Sequence, residues 1–296
     1  MTLLDPSADP SCPRCGGVGT RVVQAGTVLE ATTCTCVAPS CPVCDDTGYV
    51  QVGTGFRAPV RRCDHLELAH RRRLFTAARL PGRYAHATLD DPGEPTGHAA
   101  TAVTHVQLWV RTLCQLSQRG RRQSNGVILF GGYGTGKTHL AVAAARALTL
   151  DGGLTVRFVE FSHLLTDLKA TFERREGTAD LLEPLSTCDV LVIDEIGRGR
   201  MTEFEGTVID EIVTRRYNAG LPVLGTTNFG VGPATGRATA NAADRGAPLP
   251  TLADRLDGRV FSRLQETCDF VSMDGGEDRR RRAPKARQAG RIERAR

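Results

Sequence analysis

"GVILFGGYGTGKTHLAVAAARALTL" occupies residues 126–150. It opens on a short apolar run, passes through a glycine-rich middle and ends with apolar residues at helical spacing. The middle, Gly131-Gly132-Tyr133-Gly134-Thr135-Gly136-Lys137-Thr138, fits the spacing G-x-x-x-x-G-K-[S/T]. A strand Val127–Phe130 entering the loop and a helix leaving it wrap backbone N–H groups around a phosphate, and the helix N-terminus favours the same negative charge. Lys137 then reaches the β and γ phosphates as a point charge, and Thr138 offers a hydroxyl to magnesium. A glycine loop alone says little; framed by strand and helix, Gly131–Thr138 predicts an ATP-binding site.

Working outward, the same alternation continues. "TAVTHVQLWVRTLCQLSQ" (101–118) reads as a helix, "TVRFVEF" (155–161) as a strand and "SHLLTDLKATFERR" (162–175) as a helix. "CDVLVIDE" (188–195) reads as a strand, "FEGTVIDEIVTRRYN" (204–218) as a helix and "LPVLGTTN" (221–228) as a strand. Strands alternating with helices predict an α/β fold, a parallel sheet flanked by helices. The second half of a phosphate site should be an acid at the end of a buried strand. Asp194 fits the magnesium shell, and Glu195 fits the residue that orients and deprotonates an attacking water. Asn228 ends a further strand, where a polar side chain can hold that water or the γ-phosphate.

The chain has 296 residues, 40% of them hydrophobic, 24% charged, with a formal net charge of +5. That length suggests about two domains, and the mild positive charge hints at an acidic partner. "MTLLDPSADPSC" has neither the basic nor the apolar region of a signal peptide, and no apolar run approaches the ~20 residues of a membrane span. The expected compartment is the cytoplasm, where disulfides are rare. Seven of the ten cysteines fall within residues 12–65. Cys12-x-x-Cys15 is followed by Cys34-x-Cys36, and Cys41-x-x-Cys44 by Cys63-x-His65. Each block is a Cys-Pro-x-Cys knuckle, a glycine turn, a short two-stranded stretch and a second pair. Each offers four ligands suited to tetrahedral zinc, so two zinc ions are expected. Iron–sulfur and disulfide readings suit this context and spacing less well. The knuckles could also pair crosswise, Cys12/Cys15 with Cys63/His65 and Cys34/Cys36 with Cys41/Cys44; sequential pairing is preferred because each repeat is then self-contained. Cys114, Cys188 and Cys268 lie in apolar contexts and are expected to be buried core residues. The expected division is a zinc-binding N-terminal domain (1–66), a connector (67–98) with a basic helical piece, an ATPase domain (99–276) and a basic tail (277–296). Gly230–Pro250 reads as a flexible loop.

"FGGYGTGKTHLA", "LVIDEIG", "TTN" and "RVFSRL" together closely resemble the AAA+ P-loop ATPases of the DnaC/DnaI helicase-loader and IstB transposition-helper group. "RLPGRYAHATLDD" (79–91) resembles that group's lead-in, and the resemblance covers about residues 75–282. It implies that Asn228 is a sensor of the γ-phosphate, and that Arg259 and Arg263 stand where the group keeps its arginine finger and a companion arginine. A finger acting on a neighbour's γ-phosphate implies self-association into an oligomer, and such a group is worth ~10³–10⁵ in rate. Arg280 falls where a second, nucleotide-sensing arginine is expected, though the aromatic that precedes it in the group is absent. The segment 161–177 falls where initiators and loaders hold single-stranded DNA; Lys169, Arg174 and Arg175 offer phosphate contacts and Phe172 a stacking surface. A solvated amphipathic helix explains the same charges. The implied activity is Mg-dependent ATP hydrolysis by a replicative helicase loader, with the helicase and single-stranded DNA as partners. A transposition helper, with a transposase as partner, and a zinc-dependent adaptor with a slow nucleotide switch are the alternatives.

Overall fold

The computed structural model describes residues 3–55, 57–91, 95, 97–121, 123–174, 179–199, 202–232 and 250–274. In chain order, two hairpins come first: β1 (Thr20–Ala25) with β2 (Val28–Thr33), then β3 (Tyr49–Gln51) with β4 (Val60–Arg62). Helix α1 (Asp64–Ala77), a short 3-10 turn (Gly82–Tyr84) and helix α2 (His98–Gln118) follow. Then come β5 (Gly126–Phe130), α3 (Lys137–Leu150), β6 (Val156–Glu160), α4 (Phe161–Glu173), α5 (Ala179–Thr187) and β7 (Val190–Asp194). The chain continues through α6 (Glu203–Ala219), β8 (Val223–Thr227), α7 (Gly258–Thr267) and β9 (Cys268–Ser272).

The five later strands form one parallel sheet in the order β6-β7-β8-β5-β9. Successive side chains of a strand point to opposite faces, and here both faces are buried, which is why the central strands are apolar without interruption. Val127, Leu129, Val190 and Val192 pack with α1, α2 and α3 in one core. Ile128, Leu191 and Ile193 pack with α4 to α7 in the other. Fully burying one such side chain contributes roughly 1.5–3 kcal/mol, so the two cores hold the sheet rigid while its ends carry loops. Arg216 of α6 is itself buried and donates to the carbonyls of Leu185, Cys188, Asp189 and Pro222, tying the entry of β7 to that of β8.

Three features depart from expectation. Strand β9 pairs with β5 through its full length, an edge strand that the alternation of helices and strands did not suggest. Helix α5 forms despite Pro184 inside it; Leu182 and Leu185 bury, and that packing outweighs the proline. Cys188 and Cys268 are buried as expected, but Cys114 is only half-buried, at the rim of the core beside Gly152. The loop residues 233–249 and the tail from 275 onward lie outside the described residues. Among the described residues, no helix is long and apolar enough to cross a membrane.

Candidate nucleotide site and metal centres

Parallel register brings the chemistry to the carboxyl ends of four strands. Glu160 pairs with Asp194 across β6 and β7, and Phe130 pairs with Thr227 across β5 and β8. The loop after β5 therefore faces the acids after β7. Gly136 caps α3 in a left-handed conformation, φ 98°, that a side chain would strain. Lys137 is buried, and its Nζ donates to the carbonyls of Gly131 (2.8 Å) and Gly132 (2.7 Å). Thr138 Oγ1 donates to Asp194 Oδ1 at 2.9 Å, and Thr226 Oγ1 donates to the same oxygen. Asp194 is buried, and burial pushes its carboxyl up; the two hydroxyl donors pull it back, and Glu195 and Glu160 push it up again. A divalent cation would relieve this concentration of negative charge.

Glu195 follows in the left-handed region, φ 57°, with its N–H on Thr226 Oγ1 (3.0 Å). The turn it starts closes with the Arg198 N–H on the Glu195 carbonyl, and the Arg198 guanidinium pairs with the Glu195 carboxylate. Gly197, φ 83°, lies against Leu252, Arg255 and Phe229, where any Cβ would crowd all three. Asn228 is half-buried at the end of β8. A cleft of about 1050 Å³ opens here, with Tyr133, Asp194, Glu195, Asn228, Arg83 and Tyr84 in its lining.

Several contributors act through contacts that no motif specifies. Thr226 holds Asp194 and Glu195 at once. Asp274, just past β9, accepts from the Gly132 N–H at 2.9 Å, so the last strand braces the loop. The rings of Tyr84 and His86 meet His139 at 6.3 and 5.4 Å, setting aromatic surface beside the start of α3. These contacts join segments far apart in the chain, which no local pattern reports.

The cysteines gather into two sets. Cys12, Cys15, Cys34 and Cys36 form one, and Cys41, Cys44, Cys63 and His65 the other, with ligand atoms within 4.8 Å of one another in each. The structure thus groups the knuckles in sequence and not crosswise. Zn–S bonds of 2.3 Å at tetrahedral angles require S···S near ~3.8 Å. Cys12 to Cys34 is 3.8 Å and Cys41 to Cys63 is 3.7 Å, while Cys44 Sγ lies 3.5 Å from His65 Nδ1. The donor sets fit zinc. The backbone N–H groups of Cys15 and Arg14 lower the Cys12 thiol to about 7. Burial pushes Cys36 up to about 12, so four neighbouring thiols cannot all ionise without a cation between them.

The family model of IstB-like ATP binding proteins matches residues 69–234, more than half of the chain. The chain belongs to this family. The replicative helicase loader DnaC of Escherichia coli (strain K12) is 40% identical over 103 residues, covering 34% of this chain and 41% of that protein. DnaC of Buchnera aphidicola subsp. Baizongia pistaciae is 40% identical over 94 residues, covering 31% and 38%. The matched segment therefore spans about two-fifths of those loaders' length. Among solved structures, that of the DnaC helicase loader superposes with a TM-score of 0.52 at 26% identity, covering 64% of this chain and 98% of the other. The crystal structure of DnaI superposes with a TM-score of 0.51 at 19% identity, covering 64% and 92%, a likeness of fold.

For an IstB-like ATP binding protein, the two candidate finger arginines are placed very differently. Arg259 is exposed in the first turn of α7, whose N-terminus Asp257 caps. Arg263 is half-buried and pairs with Asp210 of α6 at 2.5 Å in the same chain. Lys169 and Arg174 are exposed on and just after α4. Arg175, Arg280 and the side chain of Phe172 lie outside the described residues.

Proposed function

We propose that this IstB-like protein is a Mg-dependent ATPase that loads a replicative helicase onto single-stranded DNA in the cytoplasm. The observation that carries the reading is the shared hydrogen bond of Thr138 and Asp194 beneath the glycine loop, with Glu195 and Asn228 across the same cleft. Gly131 to Thr138 cradle the phosphates. Thr138 and Asp194 hold magnesium, which neutralises charge on the β and γ phosphates when bound. Glu195, released from Arg198, orients the attacking water, and Asn228 holds it against the γ-phosphate. Arg259, the exposed arginine, supplies the finger to a neighbouring subunit, and Arg263 fixes α7 to α6 so that the finger projects. Arg280 completes the nucleotide pocket. Lys169, Phe172, Arg174 and Arg175 contact the DNA strand. Each cysteine set holds one zinc, and residues 1–66 form the unit that meets the helicase, joined through 67–98 to the ATPase domain 99–276 and the tail 277–296.

The loader reading draws support from the DnaC resemblance and from the zinc units. A transposition helper, acting with a transposase on duplex DNA, uses the same ATP site. A slow-switch adaptor is disfavoured by the pairing of an acidic candidate base with an exposed arginine. Glu195→Gln should bind ATP without turnover and hold its partner. Captured from source lysate with ATP, it should bring down a hexameric helicase. Recovery of a transposase instead would move the protein to the second class, and rapid ATP turnover by the variant would remove Glu195 from its role.

A further inference from the structure

Beside the ATPase sheet runs a second, shallower groove of about 770 Å³, between the end of β2, one face of α1 and Arg157 of β6. On α1 it is lined by Ala69, Arg72, Arg73, Thr76 and Ala77, the i, i+3, i+4, i+7, i+8 positions of a single helix face. The opposite face buries Leu68 and Phe75 in the protein. Small residues keep the floor open and arginines flank it. The full lining holds four arginines, Arg72, Arg73, Arg79 and Arg157, with three threonines and no carboxylate.

Two of the four guanidiniums are fixed from below. Arg72 donates to Thr20 Oγ1 and lies 3.9 Å from Asp5, and Arg157 donates to the Ala77 carbonyl at the end of α1. The side chains of Arg73 and Arg79 are exposed and make no ion pair or hydrogen bond among the described residues. Arg79 also sits at φ 55°, just past the end of α1, where glycine would cost the backbone less. A side chain kept at a strained position, aimed into a groove of like charge, marks a site that the fold maintains against its own stability. Like charges so placed repel until an anion lies between them.

We propose that this groove binds the phosphodiester backbone of a single nucleic-acid strand. From Ala69 to Ala77 the helix face runs about 12 Å, and Arg79 extends the groove beyond it, room for more than one phosphate. No aromatic side chain lines it, so contact is with the backbone and independent of sequence. The groove is separate from α4, and it shares Arg79 and Arg157 with the wall of the nucleotide cleft, so a strand lying in it ends at the ATP site.

The test uses the zinc-loaded full chain and a fluorescein-labelled oligo-dT, read by anisotropy across a salt series. Arg73→Ala/Arg79→Ala breaks no internal ion pair. It should weaken binding about tenfold and flatten the slope of log K against log salt by about 1.4, two phosphates at ~0.7 each. Arg79→Gly relaxes the backbone, so it should raise the thermal midpoint while weakening binding; a structural role would not move the two in opposite senses. Arg73→Ala alone, which lines the groove but not the nucleotide cleft, should flatten the slope by about 0.7 while leaving labelled ATP affinity at the parental value. A duplex of the same length should bind more weakly and be less affected. Unchanged affinity and slope in the double variant would overturn the proposal, as would a loss seen with duplex alone or only on substituting Lys169 and Arg174. The readout needs neither a helicase nor turnover, so it stands whatever becomes of the loader reading.

Discussion

Asp194 keeps a carboxylate almost wholly out of water, with two threonine hydroxyls on one of its oxygens. Burial raises its pKa above the ordinary carboxylate value, so its protonated form is the one the fold favours. The sign follows: this group adds stability at acid pH, and that contribution is lost as pH rises through its folded pKa. Asp194→Asn keeps the shape and removes the charge. Without nucleotide it should melt a few °C higher than the parent at neutral pH, with the gain shrinking as the pH falls into the carboxylate range. With Mg and ATP the order should reverse, because the variant loses the cation. Differential scanning calorimetry at several pH values reads both. Glu195, one residue on, carries its strain in the backbone, and the Arg198 ion pair across the turn holds the carboxylate in place.

The two cysteine units repeat in sequence but not in packing. Strand β2 of the first puts Leu29 and Ala31 into the same core as Phe75, Leu80 and the ATPase sheet. Its backbone joins in as well, with the Leu29 N–H on the Leu80 carbonyl and the Gly82 N–H on that of Thr27. The second unit has a small cluster of its own, Cys41, Cys44 and Cys63 with Val50 against them. Metal loss should therefore be felt unequally. Cys12→Ser/Cys15→Ser withdraws a leucine-sized contribution, and should lower the melting temperature of the ATPase core by roughly 5–10 °C. Cys41→Ser/Cys44→Ser should leave that transition within about a degree while halving the zinc content. Metal analysis beside a thermal melt checks both, and equal shifts would contradict the shared core.

Among the described residues, Asp194, Glu195 and Asn228 lie at the carboxyl end of the sheet, while Arg259 and Arg263 lie on α7. Of the two, Arg263 is paired with Asp210 and Arg259 is exposed. A site that borrows an arginine from a neighbour should be rebuilt by mixing subunits. Lys137→Ala, unable to bind ATP, still offers Arg259; Arg259→Ala still binds ATP. Each alone should hydrolyse ATP at least ~10³-fold more slowly than the parent, and an equimolar mixture should recover a substantial fraction of the parental rate. Arg263→Ala should behave differently, losing stability along with activity, because it breaks the pairing of α7 with α6. Phosphate release from the mixtures, followed by titration of one variant into the other, measures this.

What the sequence determined alone was whatever repeats locally or carries a motif. The glycine loop between strand and helix, the apolar strands and their alternation with helices specify a parallel sheet with a phosphate site at one end, since each signal lies within a few consecutive residues. The ligand types of the metal sets were legible in the same way. Tertiary structure alone decided the rest, because it depends on which distant segments meet. It joined β9 to the sheet and Asp274 to the glycine loop, set Thr226 under Asp194, and left one arginine of α7 exposed while pairing the other. It seated Leu29 and Ala31 of the first cysteine unit in the core of the sheet and gave the second a small cluster of its own. It also drew arginines from α1, from the turn after it and from β6 into one groove. Side-chain charge is written in the sequence, but the company that charge keeps is set by packing.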